Sequence, residues 1–501
     1  MSKKPNILIL MADQHRADSL GCAGHPIVKT PNIDRIAQQG IRFDKAYTVC
    51  PICMPARASF VSGLYPHNHQ MWGNAGKLPE DDETFFHYLQ RSGYFTAHVG
   101  KSHYYPHSPG THLMHHEDYM HARGLDYVHE TTGPWATLWT QSYMTDHWKM
   151  KGLLDVFIKD YGERRRIRGK AELHEKKDKL ALWPSHLPEE EFIDSYIGQK
   201  AIEFIQAYSY QYYVNKQPLC LFVGFGGPHE PFDPPGKYAS MYDSNDIPDP
   251  IPEGKPGNWV PKSSANRLDS EKTAKDLTRD QLKKAAANYF GKISLIDSWI
   301  GRIVSDFENL EGAENTFVVF WSDHGEMLGD HNCLYKQVFY ESSVRVPLII
   351  SWPGHVKGGK NCDALVELID IFPTLTEIAG SEPSERCLGR SLWDSLQDPQ
   401  QQHRDAVFSE IYSFNHRNIM VRTDRYKYAA DETGMGYMLF DVVEDPSEQK
   451  NLIGHPDMKS TEEKLSTRVL SFLIEKQLQR THSGEGGRLQ RTNNRIRLHN
   501  E

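Results

Sequence analysis

Asn6-Ile7-Leu8-Ile9-Leu10-Met11-Ala12-Asp13-Gln14 is the stretch that decides the fold. Its apolar residues follow one another without alternation, the pattern of a strand buried on both faces in a parallel sheet covered by helices. The run stops at Asp13-Gln14, so a buried strand delivers two polar side chains at its carboxyl end. The same arrangement recurs: residues 95–99 precede Lys101 and His103, residues 219–225 precede His229, and residues 316–321 precede Asp323-His324. A fifth run, 347–352, has no such follower. In open α/β sheets, loops at the carboxyl ends of strands converge on one crevice, so these distant groups are expected to share a site. Helix patterns over 84–91, from 188 through 208 and over 282–308 lie between the runs, and the alternation predicts an α/β fold with a mostly parallel sheet.

The rest of the chain fits a globular protein. Its 501 residues are enough for a large domain and a smaller companion, and 39% hydrophobic with 25% charged residues is an ordinary folded composition. A net charge of -9 gives no footprint for nucleic acid. Seven scattered cysteines argue against a disulfide framework and for a reducing compartment. The apolar run after Lys3 and Lys4 is too short for a signal peptide, and nothing approaches a membrane span, so a cytoplasmic address without a membrane partner is expected.

Residues 1–380 read as the large domain, interrupted at about 104–187 by an aromatic- and histidine-rich insertion over the crevice. Short alternating segments over 406–411, 418–421, 426–429 and 438–441 predict a small antiparallel α+β domain at 381–478. The polar stretch 479–501 reads as an extended arm, able to clasp a neighbour in a homo-oligomer.

The sharpest local motif is Cys53-Met54-Pro55-Ala56-Arg57. Three fixed positions arise by chance in roughly a few chains per hundred of this length, so the motif needs company. It has it in Gly100-Lys101-Ser102-His103, Pro228-His229-Glu230-Pro231, Ser322-Asp323-His324-Gly325, and Lys336 before Arg345-Val346-Pro347, together with the Asp13-Gln14 strand. In this order the blocks resemble type I sulfatases of the alkaline phosphatase superfamily over most of the chain, including Met420-Val421-Arg422-Thr423 and Leu439-Phe440-Asp441 near its end. The resemblance implies an alkaline-phosphatase-like fold and hydrolysis of sulfate esters. It also implies that a maturation enzyme oxidises Cys53 to formylglycine, whose hydrated form is the nucleophile.

A sulfate ester repels nucleophiles, so its site must neutralise the peripheral oxygens and supply an activated attacking oxygen. By resemblance Asp13, Gln14, Asp323 and His324 bind one divalent metal. Their oxygens suit calcium, while the imidazole of His324 leaves manganese and magnesium open. Arg57 and Lys101 are implied to hold the nucleophile and its charge, His103 to take a proton, His229 and Lys336 to face the leaving oxygen, and Asn74 to touch the sulfate. Aryl sulfates and sulfated carbohydrates are the substrates in view. A phosphonate monoester or phosphodiester hydrolase is the nearest alternative. Such enzymes share the nucleophile and metal pairs but tend to carry hydroxyl residues where Lys101 and His103 stand.

Blander readings compete at several positions. Cys50 and Cys53 also spell a C-x-x-C redox or zinc pair, although no second pair exists. Histidines 98, 107, 112, 115, 116 and 121 read as loop or pocket-lining residues rather than a second metal site. Arg164-Arg165-Arg166-Ile167-Arg168 could bind an anionic saccharide or nucleic acid, but with Glu163, Glu172 and Glu175 nearby it reads as a solvated helix face.

Overall fold

The computed structural model describes residues 4–169, 180–215, 217–413, 416–478, 480–482 and 489–491. One sheet is built from β1 (Asn6–Asp13), β2 (Gly40–Tyr47), β3 (Phe95–Lys101), β4 (Tyr127–Thr131), β5 (Leu219–Pro228), β6 (Thr316–Ser322), β7 (Leu348–Ser351) and β8 (Lys360–Glu367). Their order is β4-β3-β5-β1-β6-β7-β2-β8. β1 runs parallel to both neighbours, with Ile9 opposite Phe222 of β5 and Val319 of β6. β7 is antiparallel to β6 and β2, correcting the expectation that residues 347–352 continue the parallel set. Its carboxyl end faces the opposite rim, which explains why no reactive group follows it.

Side chains of β1 alternate between two cores. Ile7, Ile9 and Met11 join a cluster with residues of α2 (Cys53–Ser62) and α3 (Phe85–Arg91). Leu8, Leu10 and Ala12 join another with residues of α1 (Pro31–Gln39), α5 (Ile193–Asn215) and α6 (Arg279–Glu308). Strands β2, β4 and β8 escape the sequence pattern because they mix apolar with charged residues. β4 lies inside the stretch read as an insertion. It pairs in parallel with β3 as the sheet's edge, while α4 (Leu154–Gly169) belongs to the remainder of that stretch.

α2 is buried along its whole length. Phe60 stacks on Trp321 at 3.7 Å, fixing the helix against β6. The helix ends at Gly63 (φ 68°), whose N–H donates to Ser59 O. A side chain there would meet Cys387 Sγ at 2.7 Å, so glycine suits both the left-handed turn and the space.

A separate antiparallel sheet follows, β12-β11-β10-β9, from β9 (Ala406–Ser413), β10 (His416–Thr423), β11 (Tyr426–Asp431) and β12 (Gly436–Asp441). One side packs α7 (Lys459–Glu475) through Leu465, Val469 and Phe472. The other packs Cys50 and Ile52, just ahead of α2. Glu410 N donates to Val49 O at 2.8 Å, tying the second sheet to the same loop. Residues 480–482 pair with 489–491 as a short hairpin, and the other residues of the expected arm lie outside those described. No described helix is long and apolar enough to cross a membrane.

His98 on β3 is buried against Phe222, ring centroids 4.8 Å apart. Burial lowers its pKa from 6.5 to about 4. Below pH 6.5 the unfolded chain takes up a proton that the folded one refuses, so this group costs stability as pH falls and costs nothing above neutrality. We expect His98→Phe to lose about 3 kcal/mol less stability than wild type between pH 7 and pH 4, measured by urea unfolding. Equal acid sensitivity of the two proteins would refute the assignment.

Candidate active site

Strands β3, β5, β1 and β6 lie side by side, and Lys101, His229, Asp13 and Asp323 leave the sheet at one rim. The register holds them there: Asp13 pairs with Pro228, Ala12 with Ser322, and Gly100 with Gly224. A Cβ on Gly100 (φ 100°) would lie 2.1 Å from Gly224 O and push β3 off β5. Gln14, His103 and Tyr335 adopt positive φ of 69°, 62° and 70°, a conformation L side chains rarely take. Strained backbone therefore collects around this rim.

Cys53 opens α2, and Arg57 lies one turn on, along the same face. The Arg57 guanidinium donates from Nη2 to Asp13 Oδ2 (2.9 Å), from Nε to Asp323 Oδ2 (2.9 Å) and from Nη1 to Lys101 O (2.7 Å). Lys101 Nζ also donates to Asp13 Oδ2. The cations thus occupy one oxygen of each carboxylate, leaving Asp13 Oδ1 toward Cys53 Sγ at 3.8 Å and His324 Nε2 at 3.9 Å. Asp323 Oδ1 lies 3.7 Å from His324 Nε2, which lies 3.1 Å from Cys53 Sγ. Burial opposes the Asp13 charge, but Lys101 and Arg57 hold its carboxyl well below the usual range.

Ligating atoms of Asp13, Cys53, Asp323 and His324 fall within 4.8 Å of one another, the one such group among the described residues. His324 Nδ1 lies 3.0 Å from Gly325 O. A carbonyl only accepts, so Nδ1 carries the proton and Nε2 turns a lone pair inward. Burial lowers the His324 pKa and keeps the ring neutral. Two inward carboxylate oxygens and a neutral imidazole fit a divalent cation.

The other expected residues line the same hollow. Gln14 N donates to Asp323 Oδ1 at 3.0 Å, while its side-chain Oε1 accepts from Lys336 Nζ. Its Nε2 donates to Glu326 and, at 3.2 Å, to Glu230. Burial works against the Lys336 charge, but Cys53, Glu230, Asp13 and Asp323 raise its pKa above the ordinary lysine value. His229 Nδ1 faces Glu230 O at 2.7 Å and Glu230 Oε2 at 3.1 Å, so it donates and leaves Nε2 as acceptor. Burial and then Lys101 depress His103 well below the ordinary histidine value. Asn74 is exposed, and its Oδ1 accepts from Met54 N at 3.2 Å, beside the start of α2.

Sequence reading missed Glu230, Glu326, Glu130 and Arg168 as neighbours of the site. The first two lie beside the predicted site residues His229 and His324 and surround the Gln14 amide. Glu130, at the end of β4, accepts from Ser102 and Tyr105 and had no motif to mark it. The basic run is not uniformly solvated: Arg164 is buried on Asp160 at 3.0 Å and Arg168 reaches Glu230 at 3.1 Å, whereas Arg166 pairs with Glu163 on the surface. Glu172 and Glu175 lie outside the described residues. Cys50 is a buried core thiol, separated in role from Cys53.

A family model described as sulfatase matches residues 5–381. The chain belongs to the sulfatase family. A second model, for the C-terminal part of N-sulphoglucosamine sulphohydrolase, matches residues 329–475 of this sulfatase. An arylsulfatase of Clostridium perfringens is 31% identical, over 91% of this chain and 92% of its own. The phosphonate monoester hydrolase of Agrobacterium radiobacter shares the fold with a TM-score of 0.73 at 23% identity, covering 98% and 100%. A protein solved with its substrate D-glucosamine-2-N,6-O-disulfate has a TM-score of 0.70 at 22% identity, covering 94% and 98%. This sulfatase is therefore a hydrolase of sulfate esters.

Arg57→Gln leaves Asp13 and Asp323 buried without their shared counter-charge. We expect the metal-free variant to lose about 3–5 kcal/mol of stability, and added calcium or manganese to raise its melting temperature more than that of wild type. Identical responses to metal would contradict the cation reading of this cluster.

Proposed function

We propose that this sulfatase cleaves sulfate esters, those of carbohydrates foremost, with formylglycine formed from Cys53 as its nucleophile. The observation that carries this reading is the position of Cys53 Sγ, 3.1 Å from His324 Nε2 and 3.8 Å from Asp13 Oδ1. The modified side chain needs a maturation enzyme, and its aldehyde, once hydrated, offers a hydroxyl for attack and a second whose deprotonation expels sulfate. Asp13, Gln14, Asp323 and His324 would hold a divalent cation, calcium before manganese or magnesium. When bound, the cation supplies positive charge to the ester oxygens and the attacking hydroxyl.

The chain's own residues do the rest. Arg57 and Lys101 anchor the carboxylates and keep positive charge beside position 53. His103, neutral near pH 7, is the base for the elimination. His229 presents Nε2 toward the leaving oxygen, with Nδ1–H fixed by Glu230, and in its doubly protonated form donates the Nε2 proton there. Lys336 stays charged and offsets developing negative charge at the same oxygen. Asn74 contributes its amide to the sulfate.

Supporting a sulfated sugar as substrate, a protein of the same fold was solved with a disulfated glucosamine. The presence of both Lys101 and His103 favours sulfate over phosphonate esters. Cys53→Ala should lower turnover of 4-nitrophenyl sulfate roughly thousandfold or more. Peptide mass spectrometry over residues 47–57 should show an aldehyde oxygen in place of the thiol. A wild-type preference for an aryl phosphonate or phosphodiester would instead assign the site to the related hydrolases. His229→Ala should lower kcat on an alkyl or saccharide sulfate by about 10²–10⁴-fold but spare 4-nitrophenyl sulfate, whose leaving group needs no proton. Equal losses on both would remove His229 from the acid role.

A further inference from the structure

The basic run on α4 is not absorbed by the chemistry above, yet the fold brings its end to the rim. β4 stops at Thr131, opposite Lys101 in the sheet. The chain then passes directly over the site: a Cβ on Gly133 would lie 3.0 Å from Lys101 Nζ. It next presents Trp135 and Trp139, and α4 lays two arginines on them. Arg165 sits over the Trp139 ring at 4.9 Å. Arg168 sits between Trp135 (5.3 Å) and Tyr335 (4.6 Å), the residue before Lys336.

Arg168 Nη1 donates to Glu230 Oε1 at 3.1 Å, and the other oxygen of that carboxylate faces His229 Nδ1. One bidentate anion therefore links Arg168 to the group beside the leaving oxygen. A guanidinium has five N–H donors in a rigid fork. Glu230 is its one hydrogen-bonding partner among the described residues, and 42% of the Arg168 side chain remains exposed. The rings of Trp135 and Tyr335 pack against the guanidinium, so less freedom is lost when its remaining donors meet a ligand.

We propose that Arg168 is a specificity residue, binding a second anionic group, a sulfate or a carboxylate, carried by the saccharide whose ester is cleaved. Trp135 and Trp139 provide apolar faces for the sugar, and Arg165 adds positive charge farther out. The substrate class is then a saccharide with at least two anionic groups. A fixed guanidinium and rings suit such a ligand, because a charge-assisted pair discriminates against an analogue that lacks the anion. Glu230 neutralises one charge of the pair and sets the direction of the fork.

This inference rests on the sulfatase reading, and its test separates the two. Metal-loaded, matured wild type and Arg168→Gln are compared on 4-nitrophenyl sulfate and on a panel of mono- and disulfated hexosamines and sulfated disaccharides with and without uronate. The preferred wild-type saccharide should carry a second anion, and the variant should lose about 10–100-fold in kcat/KM on it while staying within about threefold on the counterpart that lacks that anion and on the aryl sulfate. A preferred saccharide with one anion overturns the proposal. So does an equal loss on saccharides with and without the second anion, which would mean that Arg168 acts only by holding Glu230 beside His229. If wild type hydrolyses no sulfate ester, the functional reading fails, and calorimetric binding of the same saccharides to Cys53→Ala and to Cys53→Ala with Arg168→Gln decides the inference alone. A selective loss of affinity for dianionic sugars supports it, and unchanged affinity overturns it.

Discussion

Arg57 between Asp13 and Asp323 is the interaction on which the rest of the structure depends. Two carboxylates brought together from positions 13 and 323 would repel one another in a buried hollow. The guanidinium fork takes one oxygen from each and fixes both, so the opposite oxygens face inward together. A lysine could not span both groups with the same geometry, since it carries a single charge point rather than a planar fork. The charge Arg57 brings comes at the cost of burying it, which the two carboxylates and the Lys101 carbonyl offset.

That constraint gives meaning to the helix that carries Arg57. α2 must enter the core along its whole length, because its first residue and its fifth both serve the rim while Phe60 anchors it on Trp321. The loop before it is held by the second sheet through Val49, Cys50 and Ile52. The same sheet also steadies the far wall: Lys427 donates to Phe339 O at 2.9 Å and pairs with Glu341, just beyond Lys336. The small C-terminal sheet thus contributes no group to the reaction site described here, yet it sets where both Cys53 and Lys336 stand.

Protonation in the hollow follows from the same arrangement. Lysine and arginine next to carboxylates keep their charge despite burial, whereas the buried histidines lose theirs, chiefly to desolvation. His103 is pushed toward neutrality by burial and Lys101, and Lys336 is pushed the other way by the carboxylates and Cys53. One pocket can therefore hold a neutral imidazole and a permanent cation within a few side chains of each other.

Sequence alone determined the buried strands, the rim to which they deliver Asp13, Lys101, His229 and Asp323, and the short motif from Cys53 to Arg57, because uninterrupted apolar runs and short fixed spacings are local properties. It also placed the four antiparallel strands near the end. It did not show the reversed direction of β7, the edge strand β4, or the parts played by Glu130, Glu230, Glu326 and Arg168. Strand direction depends on the path of the connection, and edge strands carry polar residues that erase their signal. A charged side chain at the end of a basic helix looks the same in sequence whether it meets water or a buried carboxylate. Only tertiary structure decided that Arg168 meets Glu230, because the two lie 62 residues apart and are joined by packing rather than by any local pattern.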